Sequence, residues 1–370
     1  MSNSHLLEIE REMRRRERAV ARAKRRRRRR AMRASAVGFA IVAVATFVAV
    51  KGLSALGLDG SSGTGAARVV SSHSTGAGLP PTQSPAPTHS PAGLPLGRPP
   101  LTLTPATRQV QAPFHRPPGS GLLFDLSTGR VLWQLNPQAR MHIASLTKMM
   151  TALRVVRSSS PDEQVLVTRQ ATESAGSKVG VLPVGRHVLL RTLLYGLMLP
   201  SGNDAAIALA QHVSGSVDAF VDTMNAEAAR LGLTCTRYSS PSGFLNARNY
   251  SCADDLAELA HVDLEQPLLA RVVRAAKVVE PLPIKGGKLW LYNNNPLLVY
   301  GYPGATGLKT GYTELAGNCL VGTAERDGVR LGVVLLHSPE LGRQAEFLLN
   351  RGFEAYGQRP LPAPPVPRGR

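Results

Sequence analysis

The stretch IASLTKMMTAL, residues 143–153, places Ser145 and Lys148 three positions apart at the start of a segment with helical periodicity. Its apolar residues are Leu146, Met149, Met150 and Leu153, continuing to Val156. On a helix the serine and the lysine share one face. A helix N-terminus adds free N–H groups and a positive field beside the serine. A lysine drawn out of water next to a second cation gives up its proton more readily, and can then take the serine hydroxyl proton near neutral pH. No G-x-S-x-G elbow occurs in the chain, so a neighbouring lysine is the evident route to activating Ser145. Taken alone, an S-x-x-K pattern more often means a capping serine and a surface lysine.

Two further short motifs follow in order, Ser201-Gly202-Asn203 and Lys309-Thr310-Gly311, 56 and 108 residues further on. Each is weak alone, but their order and placement are hard to obtain by accident. S-x-x-K begins a helix, S-G-N lies in a loop just before one, and K-T-G is expected to open a strand after a turn. The surrounding pattern is legible. GLLFDL (121–126) and RVLWQL (130–135) read as strands joined through Ser127-Thr128-Gly129. Asn203 to Val213 and Val217 to Leu231 read as helices, and Ser251 with Asp254 as a capping box for a helix from Cys252 to His261. GNCLVGTAERD (317–327) and VRLGVVLLHS (329–338) flank Asp327-Gly328, a hairpin pair, and Pro339 to Tyr356 reads as a final helix. Strands, a helical block, strands and a helix make an α+β fold: an antiparallel sheet with packed helices and an inserted, mostly helical subdomain.

Outside this unit the composition changes. The chain has 370 residues and a formal charge of +19, but residues 1–33 alone hold 14 Lys/Arg against four Asp/Glu. The excess charge is therefore mostly a basic tail, ending in the run Lys24 to Arg30, and no nucleic-acid partner is expected. An apolar stretch from Ala34 to Val50 follows. Its 17 residues would span roughly 26 Å as a helix, and a weaker extension to residue 57 approaches the thickness of a bilayer. We expect residues 34–57 to be a membrane anchor with a cytoplasmic N-terminus, a cleaved signal peptide being the competing reading. Residues 58–101 carry eight prolines between Pro80 and Pro100, and residues 59–100 have no aromatic side chain, so the segment is expected to be an extended linker. The folded unit then runs over 102–358, and 359–370, with five prolines, is a second disordered tail.

The three motifs resemble the active-site set shared by penicillin-binding proteins and serine β-lactamases. Longer stretches narrow the match, namely LLYGLMLPSGNDAAIALA (193–210), SPSGFLNARNYSCADDLAELA (240–260) and GLKTGYTELAGNCLVGTAERDG (307–328). They resemble the low-molecular-mass D-alanyl-D-alanine carboxypeptidases. That resemblance implies a β-lactamase/transpeptidase-like fold and a serine peptidase removing the last D-alanine from peptidoglycan stem pentapeptides, with β-lactams as covalent inhibitors. By the same resemblance, Ser145 is the nucleophile and Lys148 its base. Ser201 and Lys309 complete a proton network, and Asn203 orients Lys148 and the substrate amide. Lys309, Thr310 and Gly311 hold the terminal carboxylate and dock the peptide. The N–H groups of Ser145 and Tyr312 form an oxyanion hole, and Arg343 is a second carboxylate-binding cation or merely a surface arginine. A DD-endopeptidase of the same fold and a non-catalytic peptidoglycan-binding protein are the alternatives. The nine histidines show no metal spacing, so no metal or cofactor is expected. Cys235 and Cys252 are a possible disulfide in an extracytoplasmic domain, and Cys319 is expected to be a buried small hydrophobe.

Overall fold

The computed structural model describes residues 101–106, 110–244 and 248–359. The basic tail, the apolar stretch 34–57, the linker up to residue 100 and the last 11 residues lie outside the described residues. Among the described residues no helix is long and apolar enough to cross a membrane.

A six-stranded sheet organises the unit. Its strands are β1 (Thr104–Pro105), β2 (Ser120–Asp125), β3 (Arg130–Leu135), β10 (Ala305–Thr313), β11 (Gly317–Arg326) and β12 (Val329–Leu336), in the order β1-β3-β2-β12-β11-β10. All pairings are antiparallel except that of β1 with β3. Both faces are covered, so the inner strands are apolar throughout instead of alternating with polar residues. Leu122, Phe124, Cys319, Val321, Val334 and Leu336 face the larger core, and Leu123, Leu320, Leu331, Val333 and Leu335 the smaller one. The smaller core is closed by the final helix, Leu341–Ala355, through Ala345, Leu348, Leu349 and Phe353. The hairpin β11–β12 turns at Asp327 (φ 45°) and Gly328 (φ 76°), the paired positive-φ conformation that an Asp-Gly dipeptide favours.

The larger core holds the helical block between β3 and β10. It contains α1 (Lys148–Ser158), α2 (Arg169–Glu173), α3 (Leu190–Met198), α4 (Asn203–Ser214), α5 (Val217–Arg230), α6 (Ala253–Leu264) and α7 (Pro267–Arg274). α1 lies at the centre, buried from Lys148 to Leu153, and turns its Arg154 and Arg157 outward to Glu227. Three small two-stranded sheets decorate the block. They pair β4 (Met141–His142) with β7 (Tyr250–Ser251), β5 (Gln164–Leu166) with β6 (His187–Leu189), and β8 (Lys277–Pro281) with β9 (Lys288–Tyr292).

The structure corrects three details of the reading. K-T-G does not open its strand: Lys309 is the fifth residue of the nine in β10, because the backbone is already paired with β11 from Ala305. The Ser251–Asp254 capping box does not form. Ser251 sits in β7 and its hydroxyl pairs with Thr236, leaving Cys252 at the cap of α6 without a side-chain bond. The final helix starts at Leu341, two residues later than Pro339.

Candidate active site

The segment before α1 is a turn of 3-10 helix, Ala144–Thr147, and not regular α-helix. In that tighter winding residues three apart nearly eclipse, which brings Ser145 directly over Lys148. The lysine Nζ donates to Ser145 Oγ at 3.0 Å. Ala144 supports the turn at φ 47°, an uncommon conformation for a residue with a side chain. Gly243, at φ 73°, explains how the loop 240–244 can press on this turn. A Cβ there would lie 1.9 Å from the Ala144 carbonyl oxygen.

Lys148 is fully buried and its ammonium has three partners. Besides Ser145 it donates to Asn203 Oδ1 at 2.7 Å and to the Ser242 carbonyl at 2.8 Å. Asn203, the first residue of α4, is oriented in turn by donating to the Ala175 carbonyl at 2.6 Å. Burial, then the nearby charge of Lys309, hold the Lys148 pKa well below that of an ordinary lysine, with the Asp204 charge opposing them. Asp204 is itself committed elsewhere, accepting from the backbone N–H groups of Val179 and Gly180 at 2.9 Å each. It fastens the loop that supplies the Ala175 carbonyl to the start of α4.

Ser201 occupies the turn between α3 and α4 at φ 65°, and its buried hydroxyl has no hydrogen-bond partner among the described residues. A strained residue carrying an unsatisfied hydroxyl is costly for the fold alone, and such costs gather where a ligand completes the bonding. Lys309 is 1% exposed in β10 and donates to the Thr310 carbonyl at 3.0 Å. Burial pulls its pKa down to about 7. β10 is the edge strand, and its free side faces the nucleophile turn. A Cβ on Gly311 would lie 2.9 Å from both the Ile143 oxygen and the Ser145 nitrogen, so only glycine permits this approach. Thr310 is half-buried, and the Tyr312 side chain points out, 62% exposed.

Of the residues singled out in the sequence, Ser145, Lys148 and Asn203 are joined by direct bonds, and Lys309 is close enough to act on the Lys148 charge. Arg343 is exposed near the start of the last helix, and no hydrogen bond or ion pair among the described residues links it to this site. Cys235 and Cys252 are bridged, Cα to Cα 5.6 Å, and Cys319 is a free buried thiol whose pKa burial raises to about 11. The bridged sulfurs lie beside Asp255, but bonded to each other they offer no thiolate to a metal. The sequence reading gave no role to Ser242, Asp204 or Gly243. SPSG (240–243) stood in a recognised stretch, but a backbone carbonyl acting as a lysine's third acceptor leaves no side-chain signature.

A family profile described as D-alanyl-D-alanine carboxypeptidase (Peptidase_S11) matches residues 107–340. The chain belongs to this family. Among its relatives, the D-alanyl-D-alanine carboxypeptidase DacF of Bacillus subtilis is 33% identical over 251 residues, 65% of this chain and 64% of that protein. This chain therefore spans slightly less than two thirds of that relative. A D-alanyl-D-alanine endopeptidase of Pseudomonas aeruginosa is 36% identical over 219 residues, 58% of this chain and 70% of that one. The solved D-alanyl-D-alanine carboxypeptidase of Mycobacterium tuberculosis H37Rv superposes with a TM-score of 0.63 at 32% identity, covering 70% of this chain and 99% of that one. The fold is thus the α+β, transpeptidase-like fold of the family.

Proposed function

We propose that this chain is a serine-type D-Ala-D-Ala carboxypeptidase acting on peptidoglycan stem peptides. The observation that carries the reading is the buried Lys148, its pKa lowered, with its Nζ 3.0 Å from Ser145 Oγ. A neutral amine in that position accepts the hydroxyl proton as Oγ attacks the carbonyl between the last two D-alanines. The negative charge developing on the carbonyl oxygen is met by the N–H groups of Ser145 and Tyr312, a reading supported by the Ser145 nitrogen lying against Gly311, the residue before Tyr312. Lys309, when charged, attracts the terminal carboxylate, and the free edge of β10 lets the peptide backbone lie alongside as an added strand. The proton on Lys148 passes through the unpartnered Ser201 hydroxyl to the departing nitrogen, the C–N bond breaks, and free D-alanine leaves an ester on Ser145. Water then attacks the ester carbonyl, Lys148 takes its proton, and the proton returns to Ser145 as the shortened peptide departs. Two buried lysines with depressed pKa values suit this division, one neutral as base and one cationic as anchor.

The test pairs covalent labelling by a fluorescent penicillin with D-alanine release from a peptide ending in D-Ala-D-Ala, using wild type and Ser145→Ala. Labelling and release that both vanish in the variant support the reading. Labelling without release, together with cleavage of cross-linked dimers, would assign an endopeptidase instead.

For its setting, we infer that residues 34–57 anchor the chain in the cytoplasmic membrane, with the basic tail inside and the catalytic unit outside. The Cys235–Cys252 bridge supports an oxidising, extracytoplasmic compartment for that unit. Cell fractionation with external protease digestion tests this: the unit should be digested in intact spheroplasts, and protection there would reverse the orientation.

A further inference from the structure

The hairpin of β8 and β9 has two unlike faces. Val278, Glu280, Leu289 and Leu291 turn inward, where Leu289 and Leu291 join the larger core. The outward face is a ladder of three cross-strand pairs, Lys277 with Tyr292, Val279 with Trp290, and Pro281 with Lys288. All six residues are exposed, Trp290 by 60%, Tyr292 by 52% and Val279 by 42%. Two aromatic rings and a valine in adjoining rungs, open to solvent, form an apolar strip of the kind that marks a binding surface. Rungs on one face stand roughly 7 Å apart, so the ladder runs about 14 Å. Its charges are of one sign. Lys277 and Lys288 flank the rings, and Glu280, the hairpin's single acid, points the other way toward Arg191 and Thr192.

The ladder begins beside the catalytic cleft. Tyr292 leads into Asn293, whose side chain donates to the Ala275 carbonyl, and then into Asn294, whose N–H donates to the Leu199 carbonyl, two residues before Ser201. The far end argues against a membrane occupant. Ile284, the apolar residue at the tip, packs against the larger core and is not available to insert into lipid.

We infer that this face is a platform for the saccharide chain that carries the substrate peptide, so that Trp290 and Tyr292 stack on sugar rings while the peptide enters the cleft. Lys277 and Lys288 attract carboxylates carried along that polymer. This rests on the carboxypeptidase reading for its substrate, but not for the binding event.

The chain itself offers a reporter, because its two tryptophans are Trp290 and the nearly buried Trp133. Full-length Ser145→Ala protein in neutral-lipid nanodiscs is titrated with peptide-free glycan strands while tryptophan emission is followed. A saturating change is expected whose midpoint moves at least 5-fold to higher glycan in Ser145→Ala/Tyr292→Ala, and in Ser145→Ala/Trp290→Ala, which lacks the reporter, calorimetric titration should show binding weakened at least 5-fold. In active protein, Trp290→Ala should lower kcat/KM at least 5-fold on a glycan-linked pentapeptide, through KM, and leave a short D-Ala-D-Ala peptide unaffected. No emission response to glycan overturns the inference, as does an equal loss on both substrates. A response to anionic vesicles but not to glycan also overturns it and gives the face to lipid. If wild type hydrolyses neither substrate, the enzymatic reading fails while the titration still decides the platform.

Discussion

Lys148 and Lys309 set the pH behaviour of this site because burial acts on both in the same direction. Lys148 must be neutral to serve as base, so kcat/KM should rise with pH as it loses its proton. Lys309 must be charged to hold a carboxylate, so activity should fall as pH passes its pKa of about 7. We predict a narrow bell for D-alanine release. In Lys309→Arg the falling limb should disappear from the accessible range, since a guanidinium keeps its charge. A pH profile of that variant with an unchanged falling limb would remove Lys309 from the role. The same shift affects stability. The folded pKa lies below that of the unfolded chain, so the unfolded state binds more protons, and the burden on folding is greatest below about pH 7 and fades as pH climbs toward 10.5. Lys309→Met should therefore raise the melting temperature at pH 6 and lose that advantage by pH 10. Ser201 sets activity against stability in another way. Ser201→Gly relieves a φ of 65° and removes an unpartnered buried hydroxyl. We expect a gain of about 1 kcal/mol by thermal unfolding together with a loss of acylation rate of at least ~100-fold.

At the scale of elements, the nucleophile turn depends on the loop that presses on it. Gly243→Ala should keep the fold but displace Ala144 and Ser145, lowering the rate of penicillin labelling by ~100-fold or more with little change in circular dichroism. Much of this architecture could be read from pattern. The β11–β12 hairpin announces itself in Asp327-Gly328, α1 in its 3.6-residue spacing, and the S-G-N turn in its position just before an alanine-rich helix. What could not be read was set by tertiary pairing. The β8–β9 hairpin does carry Gly286-Gly287, both at positive φ, but six residues (282–287) separate its strands and its outward rungs look like a generic mix of lysines and aromatics. β1 is two residues long and finds its place only through β3. Lys309 reads as the start of a strand after a turn, yet the ladder with β11 already runs from Ala305 through Gly307. Ser242 was invisible because its contribution is a carbonyl, which every residue possesses.

Across the whole molecule, the Cys235–Cys252 bridge closes a loop of 17 residues and ties the chain before β7 to the cap of α6. Chain entropy alone assigns such a loop about 3 kcal/mol, so Cys235→Ala/Cys252→Ala should unfold at lower denaturant by that amount while keeping its penicillin labelling at low temperature. The nucleophile, the asparagine that orients its base and the anchoring lysine come from the turn before the first helix of the block, its fourth helix and the edge strand of the sheet. No fragment holding one of these segments can assemble the other two. Covalent capture of a penicillin is consequently a census of intact molecules. Along a denaturant titration, the fraction of chains that take up the label in a short pulse should track the fraction with both sheet and helical block in place, and a chain that has lost either should drop out of the count at once.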